Sequence, residues 1–289
     1  MSTPPSPDRV ARRPVPHAEA ARAGRSWWDG AAEAYYYEHG GFLGDASLVW
    51  GPEGWTEEDL SLLGTVRGLD VLEVGAGAAQ GGRWCSTQGA RVVSTDVSAG
   101  MLAVARRIDT DAAAAAGASG MEGHRSLSYV QCDGGVLPFE AEAFDVVFSA
   151  HGVLAFVPGA TDVLRGWARV LRTGGRCVFS VPHPMRWAFP DVPGPEGLQV
   201  THSYFDRRPY VEETSAGLVT YSEHHRTLGD LVRAVVAAGL VVVDLVEPPW
   251  PEGLEHTWGG WSRLRGELFP GTLIVVCTKS GPRVRPDVN

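Results

Sequence analysis

The sequence predicts an α/β protein. Its core is a seven-stranded, mostly parallel sheet with an antiparallel edge strand, joined by an N-terminal helical segment and an inserted segment before the last helix. Two observations predict this. Between Asp70 and Val181, short runs of Val, Leu and Phe alternate with stretches of helical spacing. Alternation at that interval implies parallel pairing through right-handed crossovers. The last two apolar runs, Val241–Leu245 and Leu273–Cys277, have no long helical pattern between them, so they are free to pair antiparallel at the edge.

Each element follows in order. Asp70–Val74 reads as the first strand and Gln80–Gln88 as a helix stopped by Gly89. Arg91–Thr95 is the second strand. Ser98 caps a helix running to about Ile108, with Met101, Leu102, Val104 and Ala105 on its apolar side. Residues 109–125 either extend that helix or form a loop, and the glycines at 117, 120 and 123 favour the loop. Leu127–Gln131 and Phe144–Ser149 are the third and fourth strands. Thr161–Leu171 is helical, and Gly174-Gly175 ends it before the strand Arg176–Val181. Thr227-Leu-Gly-Asp230 has the spacing of a capping box and opens a helix that stops at Gly239. Tyr210–Thr214 and Leu218–Glu223 bracket Ser215-Ala-Gly217 and read as a hairpin.

Composition narrows the function. The 289 residues carry a formal net charge of −9 and a single lysine, Lys279, which argues against binding a nucleic-acid backbone. The same acidity serves solubility. No apolar run is long enough to span a membrane, and the first residues lack the apolar core of a secretory signal. Cys85, Cys132, Cys177 and Cys277 form no Cys-x-x-Cys pair and sit in or beside apolar runs, as expected of reduced thiols in a cytoplasmic protein. The Pro, Arg and Ala content up to about Arg25 suggests a disordered tail.

The segment Glu73-Val-Gly75-Ala-Gly77-Ala-Ala79-Gln80 carries the chemistry. Two glycines after a strand let the backbone turn sharply and approach a ligand closely. A dinucleotide fingerprint would place a third glycine where Gln80 stands. Glu73 is also a poor neighbour for a pyrophosphate and a good one for a cation. Asp96 closes the second strand about 20 residues later, the spacing of a carboxylate that holds ribose hydroxyls. Asp133 follows the third strand. In a parallel sheet these strand ends share one edge, so three acids converge there and favour a ligand with amino groups or positive charge.

These residues resemble the motifs of class I S-adenosylmethionine-dependent methyltransferases, in their small-molecule, type 11-like group. Glu73 to Ala79 resembles the first motif, with Ala79 in place of the third glycine. Asp96 matches the ribose acid, and Val97 and Met101 follow it into the same pocket. Cys132-Asp133-Gly134 resembles the segment that reads adenine. Leu137-Pro-Phe139, Phe144–Phe148 and Val170–Gly175 complete the series. The resemblance spans about residues 65–185. It implies a Rossmann-like three-layer sandwich, S-adenosylmethionine as cofactor with S-adenosylhomocysteine as product, and methyl transfer to O or C of a small molecule. It also implies cofactor contacts from Glu73, Gly75, Ala76, Gly77, Asp96, Val97, Met101, Cys132, Asp133, Gly134 and Ser149. The organisation expected is a tail over 1–25, a helical cap over 26–64, the cofactor core over 65–181, an acceptor lid over 182–226, completion of the core over 227–280, and a tail over 281–289. The protein is expected to be a monomer or homodimer, with no nucleic-acid or membrane partner.

Methyl transfer is an in-line displacement, and a hydroxyl acceptor gains from a general base. His183 follows the fifth strand and is the first candidate, with His151, after the fourth, as the second. For each, the alternative to a base is a structural hydrogen bond or a substrate contact. Tyr36 and Trp50 before the core, and Trp187, His202, Tyr204 and His224 in the lid, are the candidate acceptor contacts. Eight of ten tryptophans lie outside residues 56–186, which suits an apolar pocket or the packing of the additions. Glu223-His224-His225 does not suggest a metal, because neighbouring strand residues point to opposite faces. A nicotinamide-dependent oxidoreductase and a non-catalytic S-adenosylmethionine-binding protein are the competing readings.

Overall fold

The structure is a computed structural model and describes residues 7–119 and 127–281. β1 (Arg9–Arg12) and α1 (His17–Leu43) come first, then the short α2 (Glu57–Leu60). The core runs through β2 (Asp70–Val74), α3 (Gln80–Thr87), β3 (Arg91–Asp96), α4 (Ala99–Ser119), β4 (Ser128–Gln131), β5 (Phe144–Ser149), α5 (Ala160–Val170) and β6 (Leu171–Pro182). After a segment holding β7 (Tyr210–Glu213) and β8 (Val219–Glu223), the chain closes with α6 (Leu228–Ala237), β9 (Leu240–Val246), the short α7 (Arg263–Gly266) and β10 (Thr272–Lys279).

The main sheet has seven strands in the order β4-β3-β2-β5-β6-β10-β9. The first five are parallel, and β10 is antiparallel to both β6 and the edge strand β9. Residues alternate between two cores, as a sheet covered on both faces requires. Leu72, Val147, Cys177, Phe179 and Val275 face the layer of α5 and α6, with Trp167 and Val235. Val71, Val146, Phe148, Val178 and Ile274 face Trp84, Cys85 and Ala105 from α3 and α4. This is the three-layer α/β sandwich that the sequence predicts. All four cysteines are free thiols, and Cys177 stands opposite Cys277 across the β6–β10 pair.

The capping box at Thr227 forms as expected: its hydroxyl accepts from the Asp230 amide while the Asp230 carboxylate accepts from the Thr227 amide. Three segments differ from expectation. β6 begins at Leu171, because Phe144 pairs with Leu171 and Val146 already with Arg176. The residues between bulge out on Gly174, whose φ is +80°. α4 continues to Ser119, the run of five alanines at 112–116 outweighing Gly117. Gly120 and Gly123 lie outside the described residues.

The third difference is at the N-terminus. Residues 7–25, expected within a disordered tail, are ordered by distant partners. β1 pairs antiparallel with β7, and β7 with β8, in a second three-stranded sheet. Arg13 donates to the buried Glu213 at 2.6 Å, and Val15, Ala20 and Ala23 pack on Val211 and Val219. The hairpin expected at 210–223 is thus present, with the N-terminal strand as its third member. No helix among the described residues is long and apolar enough to cross a membrane.

Candidate active site

The parallel strands all end at one edge, and a cavity of about 400 Å³ opens there. Gly75 and Gly77 turn the chain with φ of +70° and +55°. A Cβ at Gly75 would fall 2.9 Å from Val153 Cγ2, so only glycine fits the turn. Ala79, in the third glycine position, also lies in the left-handed region at φ +58° and caps α3. The Arg83 guanidinium ties the turn down: it donates to the Ala78 and Asp45 carbonyls and pairs with Asp109 on α4 at 3.2 Å.

Of the expected cofactor residues, Glu73, Gly75, Ala76, Gly77 and Asp96 line this cavity, and so do Val97, Met101, Cys132, Asp133 and Gly134. Ser149 does not line it, and its buried hydroxyl has no hydrogen-bond partner among the described residues. Asp96 accepts from the Gly77 and Ser98 amides, one on each oxygen, both at 2.8 Å. Burial raises its carboxyl above the ordinary range despite those bonds. Glu73 accepts from Ser94 Oγ at 2.7 Å and from the Gly82 amide at 3.0 Å, and burial pushes its carboxyl up to about 7. Cys132 gives its own amide to the Asp96 carbonyl at 3.0 Å. Asp133 accepts from the Gly135 amide and meets His17 Nε2 at 2.8 Å.

The two candidate bases separate clearly. His183 is buried, and both ring nitrogens are taken: Nδ1 accepts from the Met185 amide at 3.2 Å and Nε2 lies 2.8 Å from Glu247. It does not line the cavity, and this geometry makes it a cap for the turn after β6 rather than a base. His151 lines the cavity. Its Nε2 lies 3.1 Å from Thr272 Oγ1, and Thr272 donates to Glu53 at 2.6 Å. Burial, and then the Arg186 charge, hold its pKa down at about 4.

None of the six expected acceptor contacts lines the cavity. Trp50 is wholly buried core, packed on Phe148 and donating to Glu57. Tyr36 faces away, bonded to Asp45 beneath the Arg107 guanidinium. Trp187 packs on His225, and His202 is exposed beside Thr201. Tyr204 accepts from the Leu228 amide at the start of α6. His224 hangs from the Ala155 carbonyl by its own amide, and burial lowers its pKa to about 4. The walls are built instead from Trp28 and Tyr35 on α1, Phe156, Tyr221 on β8, and Trp258 and Trp261 in the β9–β10 connection. The hairpin therefore does face the cavity, through Tyr221 and Glu223. Beside them Arg186 pairs with Glu223 at 2.8 Å and Asp191 at 3.0 Å. The Trp258-Gly-Gly-Trp261 motif was the sequence signal for this wall, two aromatics paired across a two-glycine turn.

Residues 72–179 match the methyltransferase domain family Methyltransf_11. The chain is similar to a demethylmenaquinone methyltransferase of Clavibacter sepedonicus, 31% identical over 134 residues, covering 44% of this chain and 48% of the relative. It is also similar to the aklanonic acid methyltransferase DauC of Streptomyces sp. (strain C5), 26% identical over 178 residues, covering 60% and 76%. Among solved structures, an S-adenosylmethionine dependent methyltransferase from Mesorhizobium loti superposes with a TM-score of 0.56 at 25% identity, covering 79% of this chain and 100% of that one. The chain spans about half the length of most of the curated relatives it matches. These matches set aside the nicotinamide reading. In fold, in the acids at the strand ends and in these matches, residues 72–179 are similar to the methyltransferase domain of class I S-adenosylmethionine-dependent enzymes.

Proposed function

We propose that this chain methylates a small apolar or aromatic molecule, with S-adenosylmethionine as donor and S-adenosylhomocysteine as product. The observation that carries the reading is Asp96. Each of its oxygens accepts one backbone amide and keeps a lone pair, which is the acceptor set a pair of ribose hydroxyls needs. Asp133 lines the cavity and, with the Gly135 amide on one oxygen and His17 on the other, keeps one further lone pair on each for an amino-bearing base. Gly77 leaves open space where a Cβ would meet nothing within 4 Å. Five carboxyl groups line the cavity: Glu73, Asp96 and Asp133 at the strand ends, where a sulfonium and an ammonium would rest, and Asp191 and Glu223, both paired with Arg186. Bound there, the cofactor supplies an electrophilic methyl carbon.

The chain's own work is then positioning and exclusion of water. Trp28, Phe156, Trp258 and Trp261 offer flat apolar walls, and Arg186 a guanidinium for an oxygen of the acceptor. The acceptors named for the two relatives, a demethylmenaquinone and aklanonic acid, are small molecules, in keeping with that wall. Calorimetry with S-adenosylhomocysteine tests the site. The wild type should bind it, and Asp96→Asn should weaken binding by about 10- to 100-fold, the worth of one or two charged hydrogen bonds. Equal binding by the variant, or none by the wild type, would overturn the reading.

A further inference from the structure

We propose that Glu53, acting through Thr272, fixes His151 in the tautomer whose Nδ1 is free to take a proton, and that the acceptor supplies that proton from a hydroxyl group. The inference rests on the methyl-transfer reading and assigns its acceptor atom to oxygen.

Burial raises the Glu53 carboxyl above its ordinary value, and with Glu53 ionised the hydrogen bonds leave one consistent arrangement. Glu53 is buried and accepts twice, from the Gly271 amide at 3.0 Å and from Thr272 Oγ1 at 2.6 Å. A threonine hydroxyl has one proton, and it is committed to Glu53. The 3.1 Å contact between Thr272 Oγ1 and His151 Nε2 must then be carried by the Nε2 proton. A neutral imidazole protonated on Nε2 has its lone pair on Nδ1. Burial and the neighbouring Arg186 keep the ring neutral, as the depressed pKa shows.

Two further features show that the arrangement is built. The turn carrying Glu53 is cut to fit: a Cβ at Gly51 would fall 2.1 Å from Thr272 Oγ1, and one at Gly271 would fall 2.6 Å from Glu53 Oε1. His151 itself is held at φ +50°, a conformation that costs energy in any residue with a side chain, with its amide given to Ser180 Oγ at 2.9 Å. A tie meant only to join the turn to β10 would not need a buried carboxylate, which is expensive to desolvate. Glu53 has no cationic partner among the described residues.

The step balances. The acceptor oxygen forms its bond to the methyl carbon as the carbon–sulfur bond breaks, and that electron pair leaves on sulfur. The hydroxyl proton passes to Nδ1, and the imidazolium, disfavoured by burial and by Arg186, returns it to water. His151 is the catalytic residue, and Glu53 and Thr272 are positioning residues.

Nitrogen-15 spectra of the full chain, labelled at histidine and saturated with S-adenosylhomocysteine, report the tautomer directly. His151 is assigned by the signal lost in His151→Gln. The wild type and Thr272→Ser should show the Nε2-protonated form, and Thr272→Val should lose it while still binding S-adenosylhomocysteine. Protonation on Nδ1 in the wild type, or an unchanged spectrum in Thr272→Val, overturns the relay. The acceptor atom is read separately, by incubating the protein with methyl-carbon-13 S-adenosylmethionine and a metabolite extract of its host. A methoxy signal, reduced at least tenfold in Thr272→Val and retained in Thr272→Ser, supports the proposal; a C-methyl or N-methyl signal overturns it. Failure to bind S-adenosylhomocysteine at all would instead sink the methyl-transfer reading.

Discussion

His17 and Asp133 meet at 2.8 Å, joining the first residue of α1 to the loop after β4 across 116 positions of sequence. The contact lays the N-terminal helix across the mouth of the cavity, where Trp28 and Tyr35 of the same helix form its wall. The pair is partly exposed, so its worth is at most about 1 kcal/mol. Removing it should loosen the helix rather than spoil the site. His17→Ala is expected to raise the dissociation rate of S-adenosylhomocysteine up to about fivefold with little change in the association rate, measurable by stopped-flow fluorescence of the cavity tryptophans.

Glu73 predicts a pH-dependent stability. Burial raises its carboxyl from 4.5 to about 7, so the folded state holds the proton more tightly than the unfolded chain does. Its contribution is full below the unfolded value and is lost as pH rises through 7. The loss between pH 5 and pH 8 is bounded at about 3 kcal/mol. Glu73→Gln cannot titrate. Urea unfolding should therefore show the variant gaining on the wild type by up to that amount between the two pH values, and a constant difference would refute the assignment.

Two helical glycines should respond in opposite directions. A Cβ at Gly82 on α3 would stand 2.3 Å from Ser94 Oγ and 2.6 Å from Glu73 Oε2, atoms that are themselves bonded and buried. A Cβ at Gly24 on α1 would meet nothing within 4 Å. Gly82→Ala should lower Tm by about 5 °C, since overpacking at about 1–3 kcal/mol exceeds the helix-propensity gain. Gly24→Ala should raise Tm by about 2 °C, because only the propensity gain remains.

The strand-end half of the cavity was legible in the sequence because its positions are fixed by the sheet. A strand end, a glycine turn and an acid at the next strand end fall together in any parallel pair, so Gly75, Asp96 and Asp133 could be placed from spacing alone. The acceptor half was not. Which face of an added segment turns inward depends on what it packs against, and no periodicity encodes that. Trp50 and Tyr35 illustrate this: one is sealed beneath Phe148, and the other lines the cavity in place of its neighbour Tyr36. His183 and His151 both follow strands, and only the hydrogen bonds of each ring separate the cap at His183 from the proposed base at His151. Ala79 was legible as a replaced glycine but not as a left-handed residue, because the turn conformation is set by its neighbours.

The pairing of β1 with β7 has a consequence for synthesis. Arg13 and Glu213 lie 200 residues apart, so at about 5–20 residues per second the N-terminal strand waits some tens of seconds for its partner on the ribosome. An apolar strand left bare for that time would recruit neighbouring chains. Pro4, Pro5, Pro7, Arg9, Arg12, Arg13, Pro14 and Pro16 make this stretch a poor template for stray pairing. The composition that resembles a disordered tail is the one a strand needs if it leaves the ribosome 200 residues ahead of its partner.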